Sequence, residues 1–126
     1  MQKKKLHNLS QLRQALRRLL QDLEHSLEVA FGRSPLVKGN VYEMARKCGK
    51  PNCVCIRGQL HRSMVLSWSE GGKPRLFSIP PPRLGELREK SEEYLRFRRA
   101  RARVTEIGRE IVAVLDQIEN FRREEP

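Results

Sequence analysis

The apolar positions of the N-terminal part recur at helical spacing. Residues 8–31 place apolar side chains three and four positions apart, which predicts one amphipathic helix. Asn8 or Ser10 is suited to cap this helix, with Gln11 placed for a capping-box contact to Asn8, and Gly32 predicts its end. We interpret the stripe as core packing. It consists of Leu9, Leu12, Leu16, Leu19, Leu23, Leu27 and Ala30.

The middle of the chain alternates apolar and polar residues, which is typical of β-strands. Residues 41–46 predict a short strand, and residues 64–69 and 75–79 predict a hairpin around the turn at 70–72. The prolines at 80–82 end strand pairing because proline has no N–H to donate. One side of the central strand carries Met64, Leu66 and Trp68. We interpret this tryptophan as part of the core rather than as a stacking platform for nucleic-acid bases.

The C-terminal third predicts one long helix. Residues 83–123 contain no proline and would span about 60 Å at 1.5 Å per residue. An earlier and more polar stripe consists of Leu84, Leu87, Ser91 and Tyr94. A later heptad seam consists of Phe97, Ala100, Val104, Ile107, Ile111, Val114, Ile118 and Phe121. We expect the first stripe to pack on the hairpin and the second on another helix. Gly108 inside the seam costs about 1 kcal/mol relative to alanine, which indicates close approach of that helix.

The partner of this seam is either the helix at residues 8–31 or a second copy of the long helix. The first helix covers only about 36 Å, against about 60 Å for the last one. Part of the seam is then left over, which favours a homodimer through the long helix.

These elements predict an α+β fold. It has an N-terminal helix, a small zinc-stabilised antiparallel β unit of a hairpin plus one strand, and a long C-terminal helix that forms a helical hairpin or coiled coil. The predicted segments are residues 1–38, 39–82 and 83–126, within one structural domain.

Composition adds that the core is thin. The chain has 126 residues, of which 38% are hydrophobic and 33% charged, so a bound metal or a partner chain would help it to fold. No apolar run approaches the roughly 18 residues of a membrane-spanning helix. No apolar signal core follows the basic N-terminus, so we expect a cytoplasmic protein.

The charge is strongly positive and unevenly distributed. The net charge is +11, and residues 33–82 carry nine Lys/Arg against two Asp/Glu. Residues 83–126 are nearly balanced, with eleven against ten. A concentrated positive region indicates a polyanionic partner, most simply nucleic acid, and DNA more than RNA. A membrane surface is disfavoured because the expected amphipathic aromatic face is missing.

All three cysteines lie in one short stretch. Cys48, Cys53, Cys55 and His61 follow the spacing Cys-x4-Cys-x-Cys-x5-His. Three thiolates and one imidazole form a common tetrahedral ligand set for structural Zn²⁺. Because all four corners are then occupied, the pattern argues against a catalytic ion.

Two other interpretations of the cysteines stay open. One is that they are reduced, idle thiols in a turn. The other is a redox or intermolecular disulfide role, since an odd number of cysteines cannot all pair within one chain. Idle cysteines usually have apolar neighbours, whereas these lie among Gly, Lys, Pro, Asn and Arg. Zinc is therefore the preferred interpretation.

Two groups of basic residues are candidates for phosphate contacts. The first surrounds the cysteines and consists of Lys47, Lys50, Arg57 and Arg62. The second shares one face of the long helix and consists of Arg96, Arg99 and Arg103. The alternative for the second group is a solvated face whose side-chain stems pack over apolar neighbours.

Several of these motifs together resemble a known type of protein. They are Cys48-Gly49-Lys50-Pro51-Asn52-Cys53-x-Cys55, Gly58-x-Leu60-His61, Leu66-Ser67-Trp68, Gly72-Lys73-x-Arg75, Ile79-Pro80 and Glu93-Tyr94-x-Arg96-Phe97-Arg98. The chain resembles, over about residues 39–110, an uncharacterised prokaryotic family of short basic proteins with a Cys-Gly-Lys-x-x-Cys-x-Cys signature. Such proteins are often encoded near mobile-element genes. This chain departs from the pattern at Val54 and at Arg62-Ser63.

The leading hypothesis is a non-enzymatic, zinc-stabilised nucleic-acid-binding protein, with the resemblance implying a regulator or accessory factor of a mobile element. The alternative is a protein–protein interaction module, in which a helical dimer presents a zinc hairpin to a partner such as a transposase. An enzyme is not expected, because no nucleophile–base pair or paired carboxylates stand out and the middle region contains only Glu43 and Glu70 as acids.

Overall fold

The computed structural model describes residues 8–46, 58 and 60–126. It is an α+β structure with an N-terminal helix, a three-stranded antiparallel sheet and a long C-terminal helix, as predicted. The elements in chain order are α1 (Leu9–Ala30), β1 (Asn40–Arg46), β2 (His61–Glu70), β3 (Lys73–Ser78), a short 3-10 turn (Pro81–Arg83) and α2 (Leu84–Arg122).

The contacts divide the chain into two compact units. One combines residues 1–32 with 96–126 and is called here the two-helix unit; the other spans residues 33–95 and is called the sheet unit. The division falls inside α2, whose first three turns belong to the sheet unit. The predicted segment boundaries near 38 and 82 follow the elements instead, and the prediction of a single structural domain stays a prediction.

Helix α1 begins where its capping residue predicts. The Asn8 side-chain oxygen accepts a hydrogen bond from the Gln11 backbone N–H at 2.8 Å, which satisfies one of the free N–H groups of the first turn. The helix ends at Ala30, and the backbone N–H of Phe31 donates to the carbonyl of Leu27 at 2.8 Å.

The sheet has the order β1-β2-β3, with both pairs antiparallel. The tight turn between β2 and β3 is formed by Gly71 and Gly72, with φ of +57° and +79°. Two positive φ values in a two-residue loop match the twist of a β-hairpin, and glycine adopts them without steric cost. The predicted hairpin and its turn are confirmed.

One face of the sheet forms the core of the sheet unit. Leu66, Ile79 and Leu87 make a buried cluster. The predicted apolar side of β2 is confirmed, because Met64 and Trp68 pack against this cluster and Trp68 is half-buried. The partly buried residues around the cluster are Val37, Val41, Met64, Trp68 and Leu84.

The start of α2 is tied to the segment before β1. The backbone N–H of Val37 donates to the carbonyl of Lys90 at 3.0 Å, and the buried Ser91 hydroxyl donates to the carbonyl of Gly39 at 2.6 Å. Gly39 has φ +131°, and a Cβ there would lie 2.6 Å from the carbonyl oxygen of Ser67. Ser91, the polar residue in the earlier stripe of α2, is thus buried and connects α2 to the segment before β1 by a hydrogen bond.

In the two-helix unit, three of the eight residues of the predicted heptad seam are buried, and Phe121 at its end is exposed. Ala100, Ile107 and Val114 are buried, whereas the alternate positions Phe97, Val104, Ile111 and Ile118 are half-buried. On α1 the buried residues are Leu12 and Ser26. Among the helices of the described residues, none combines the length and the hydrophobicity needed to cross a membrane.

Candidate metal centre and basic surface

The four predicted zinc ligands fall in the connection between β1 and β2 or at its end. Strand β1 ends at Arg46, strand β2 begins at His61, and these two residues are paired in the register. Directly opposed residues of an antiparallel pair have Cα atoms about 4.5–5.5 Å apart. The described ends of β1 and β2 therefore lie side by side, and the segment that carries the cysteines connects them.

Of the four predicted zinc ligands, His61 is within the described structure, as the exposed first residue of β2. Cys48, Cys53 and Cys55 lie outside the described residues, as do Lys47, Lys50 and Arg57. Within residues 8–46, 58 and 60–126, no group of three His, Cys, Asp or Glu side chains could hold a metal ion. The zinc site with its four ligands therefore stays a prediction.

The donor chemistry and the chain connectivity both suit the predicted ion. Cys48 follows Arg46 by two positions, and two residues span at most about 7 Å. The thiol of Cys48 is therefore tethered close to the end of β1, and the imidazole of His61 is at the start of β2. Three thiolates with one imidazole are a ligand set that Zn²⁺ accepts in structural sites.

The two carboxylates of residues 33–82 each contact an arginine. Glu43 accepts a hydrogen bond from Arg62 at 3.3 Å, and Glu70 lies 3.7 Å from Arg75. Both pairs are well exposed, with 73% of the Arg62 side chain accessible to solvent. Exposed ion pairs are weak, so these arginines can exchange a carboxylate for another anion at little cost.

Four further cations of this region lie within the described residues. Within the described part of the sheet unit, no carboxylate lies in contact with Arg33, Lys38, Arg46 or Lys73. Since both nearby acids already contact Arg62 and Arg75, the hairpin presents an excess of positive charge. An anionic partner is the natural complement of such a surface.

The three predicted helix arginines have different surroundings. Arg103 donates hydrogen bonds to Asp22 of α1, with Nε–Oδ2 at 3.0 Å, and to Glu106, and it lies 3.5 Å from Glu110. The hydrogen bonds that it donates to Asp22 and Glu106 raise the pKa of its guanidinium above the ordinary value. Arg96 and Arg99 are exposed. Arg103 is therefore engaged by its own chain, and its predicted phosphate contact would compete with three carboxylates.

The sequence pattern did not identify a shallow concavity on the sheet. Its lining includes Tyr42, Ser67, Trp68 and Arg75, and Tyr42 is 40% exposed. An exposed aromatic ring can stack on a planar base. The available signal was the position of Tyr42 in β1, where the alternation places it on the side opposite Val41.

Comparison with known protein families finds a match. A family model described as Domain of unknown function (DUF6788) matches residues 9–89, from the start of α1 to the first turns of α2. No curated protein matches the chain, and no solved structure does.

Proposed function

The chain belongs to the DUF6788 family of unknown function, and on its own residues we propose that it is a zinc-stabilised nucleic-acid-binding protein. We further propose that it acts as a non-enzymatic regulator or accessory factor of a mobile element, in the cytoplasm and near the nucleoid. The support for nucleic acid comes from charge, and the support for zinc comes from the cysteine spacing and the hairpin register.

The observation that carries the proposal is the charge balance around the hairpin. Residues 33–82 contain nine Lys/Arg and two Asp/Glu. Both acids, Glu43 and Glu70, already contact arginines. The positive charge that remains has no compensation nearby in the described part of this region, and phosphate groups supply it most directly.

Zinc would hold the basic residues around the cysteines in fixed positions. Cys48, Cys53, Cys55 and His61 would hold the ion, which supplies a structural cross-link when bound. Because Arg46 and His61 are paired in the sheet, such a cross-link would connect the basic segment to a rigid base. Side chains held in place lose less entropy when they contact a ligand.

The predicted basic residues supply the contacts to phosphate. Lys47, Lys50 and Arg57 contact the phosphate backbone, and Arg62 leaves its exposed pair with Glu43 to do the same. A second group on α2 consists of Arg96, Arg99 and Arg103. Contacts to phosphates position a protein on nucleic acid without reading its sequence, so we expect affinity with little sequence preference.

The salt dependence of binding tests the proposal. If about five phosphates are neutralised, log affinity for duplex DNA falls with log salt at a slope near roughly −4.5. Removing one contacting cation, as in Lys50→Ala or Arg57→Ala, reduces the slope by about 0.9. The matched control Arg109→Ala removes one exposed charge of the two-helix unit and leaves the slope unchanged. Affinity that does not respond to salt, or no binding to duplex or single strands at low salt, contradicts the proposal.

A protein-interaction module is the second candidate, and one observation favours it. The two-helix unit exposes large apolar side chains, including Leu20 at 57% and Phe31 at 74%. Such residues are typical of protein contacts when they cluster. Capture of partners from the native host separates the two functions: nuclease treatment abolishes capture through nucleic acid and leaves capture through protein contacts intact.

A further inference from the structure

The direction of the two helices in the two-helix unit follows from one ion pair. The buried residues define a line on each helix: Leu12 and Ser26 on α1, and Ala100, Ile107 and Val114 on α2. Successive residues are rotated by about 100° around the helix axis. Measured in that sense of rotation, Asp22 is offset from the α1 line by about −60° and Arg103 from the α2 line by about −40°. When two helices face each other, rotational offsets of the same sign lie on the same side of the pair only if the helices are antiparallel. Since Arg103 donates to Asp22, α1 and α2 are antiparallel.

The burial pattern agrees with this alignment. With Asp22 level with Arg103, Ser26 lies within one residue of the level of Ala100, and Leu12 lies within one residue of the level of Val114. All four of these residues are buried. In a parallel alignment Val114 would lie beyond the end of α1 and would have no helix to cover it.

Each helix carries an apolar groove on the side opposite the ion pair. The α1 groove is lined by Leu20, Leu23, Glu24, Leu27, Glu28 and Phe31. The α2 groove is lined by Leu115, Ile118, Glu119, Arg122 and Arg123. The apolar residues of the α1 groove are offset from the α1 line by about +40° to +120° around the helix axis. Those of the α2 groove are offset from the α2 line by about +20° to +80°. In antiparallel helices both displacements point to the same side, so the grooves open on one face.

The two grooves lie at opposite ends of this face and differ in charge. The lining of the α1 groove includes Glu24 and Glu28, whereas that of the α2 groove includes Arg122 and Arg123 together with Glu119. A two-fold axis that lies in the plane of this face and passes through its centre places the α1 groove of one copy on the α2 groove of the other. The two glutamates of the α1 groove then meet the two arginines of the α2 groove at both ends.

Gly108 lies near the centre of the same face. Gly108 is offset from the α2 line by about +100° around the helix axis. Along the axis, it lies about one residue from the midpoint between the two grooves. A Cβ added there would meet no atom within 4 Å among the described residues, so the fold of the chain does not require glycine at this position. A glycine inside a helix costs about 1 kcal/mol relative to alanine. Close approach of a helix from another molecule accounts for it.

We propose that this face binds a second copy of the chain, forming a two-fold symmetric four-helix bundle. The contact is isologous, with the α1 groove of each protomer on the α2 groove of its partner. The half-buried seam positions Phe97, Val104 and Ile111 complete their burial in this contact. The inference is independent of nucleic-acid binding and of zinc.

The first test measures the mass of the full chain by sedimentation equilibrium over a range of concentrations. The wild type is expected to dimerise, and Leu20→Glu and Leu115→Glu each raise the dimer dissociation constant by about 30-fold or more. Leu36→Glu is the matched control, because Leu36 is 44% exposed in the sheet unit and lies outside the face. Circular dichroism of each variant checks that helix content is retained.

The second test uses complementary charge reversal and does not depend on apolar substitutions. Glu24→Lys/Glu28→Lys and Arg122→Glu/Arg123→Glu each place like charges across both ends of the homodimer. Mixing the two double variants restores opposite charges at both ends, so a heterodimer forms where neither variant dimerises alone.

Three results would overturn the proposal. The first is a wild type that stays monomeric, or that binds only a protein of different sequence. The second is dimerisation that Leu20→Glu and Leu115→Glu leave unchanged, or that Leu36→Glu weakens equally. The third is a mixture of the two charge-reversal variants that gives no heterodimer.

Discussion

Arg103 of α2 and Asp22 of α1 lie 81 residues apart in the sequence and form an ion pair in the structure. Glu106 and Glu110 of α2 surround the same guanidinium. One arginine therefore links the two helices and neutralises acids from both. The pair also fixes the relative direction of the helices in the two-helix unit.

Removing either member of this pair is expected to lower thermal stability. Asp22→Asn and Arg103→Gln should each reduce the melting temperature by a few degrees, and Arg103→Gln by more, because it leaves three carboxylates close together. The matched control is Arg99→Gln, one turn earlier on α2 and exposed, which should leave the melting temperature unchanged. Equal melting of all three variants and the wild type would show that the pair contributes nothing.

Gly39 is expected to tolerate no side chain. In Gly39→Ala the new Cβ lies 2.6 Å from the carbonyl oxygen of Ser67, and φ is +131°. We expect the variant to lose about 1–3 kcal/mol of unfolding free energy, measured by urea denaturation. The control Gly71→Asn keeps a positive φ in open space, where asparagine is accepted, and should cost little. A Gly39→Ala variant as stable as the control would contradict the close approach of this segment to β2.

Ser91 is expected to stabilise the sheet unit through its hydroxyl. Ser91→Ala removes the 2.6 Å hydrogen bond to the carbonyl of Gly39. A buried carbonyl without its donor costs about 1–3 kcal/mol, so urea denaturation should show a loss in that range. Thr105→Ala is the control, because the Thr105 hydroxyl is exposed and bonds its own helix at 3.4 Å. If both variants unfold alike, the Ser91 hydroxyl is not an anchor.

The carboxyl of Glu86 is expected to have a pKa below the ordinary value of a glutamate. The hydrogen bond that Arg83 donates, together with the charge of Lys90, lowers the pKa of Glu86 from its ordinary value of 4.5. A lowered folded-state pKa contributes stability that is present above pH 4.5 and is lost as the pH falls through the folded value. NMR titration of the side-chain carboxyl should show this shift, and Arg83→Ala should move the pKa back towards 4.5. Arg88→Ala, two residues away on another side of the helix, should leave it unchanged.

Local patterns predicted the elements well because each rests on neighbouring residues. Asn8 caps α1 through the N–H of Gln11, three positions later. Gly71 and Gly72 form the β2–β3 turn because only positive φ closes so short a hairpin. Met64 and Trp68 flank Leu66 on one side of β2 because strand side chains alternate.

Relationships across the fold were not visible in the sequence. No acid lies between positions 94 and 105 of the sequence, yet Asp22 pairs with Arg103 from another helix. Val65 is fully buried although alternation places it opposite the core side of β2. Ser91 interrupts an apolar stripe, and only the structure shows its buried partner. Such pairings depend on tertiary contacts that no local period encodes.

Zinc content is the most direct test of the central claim, that one ion joins Cys48, Cys53, Cys55 and His61 at the end of the β1–β2 hairpin. Metal analysis of the purified protein should give one zinc per chain. Cys48→Ser and His61→Ala should both lose the ion and lower the melting temperature, because binding of a structural zinc contributes directly to folding. Metal-free wild-type protein, with the same melting temperature in all three forms, would contradict the account.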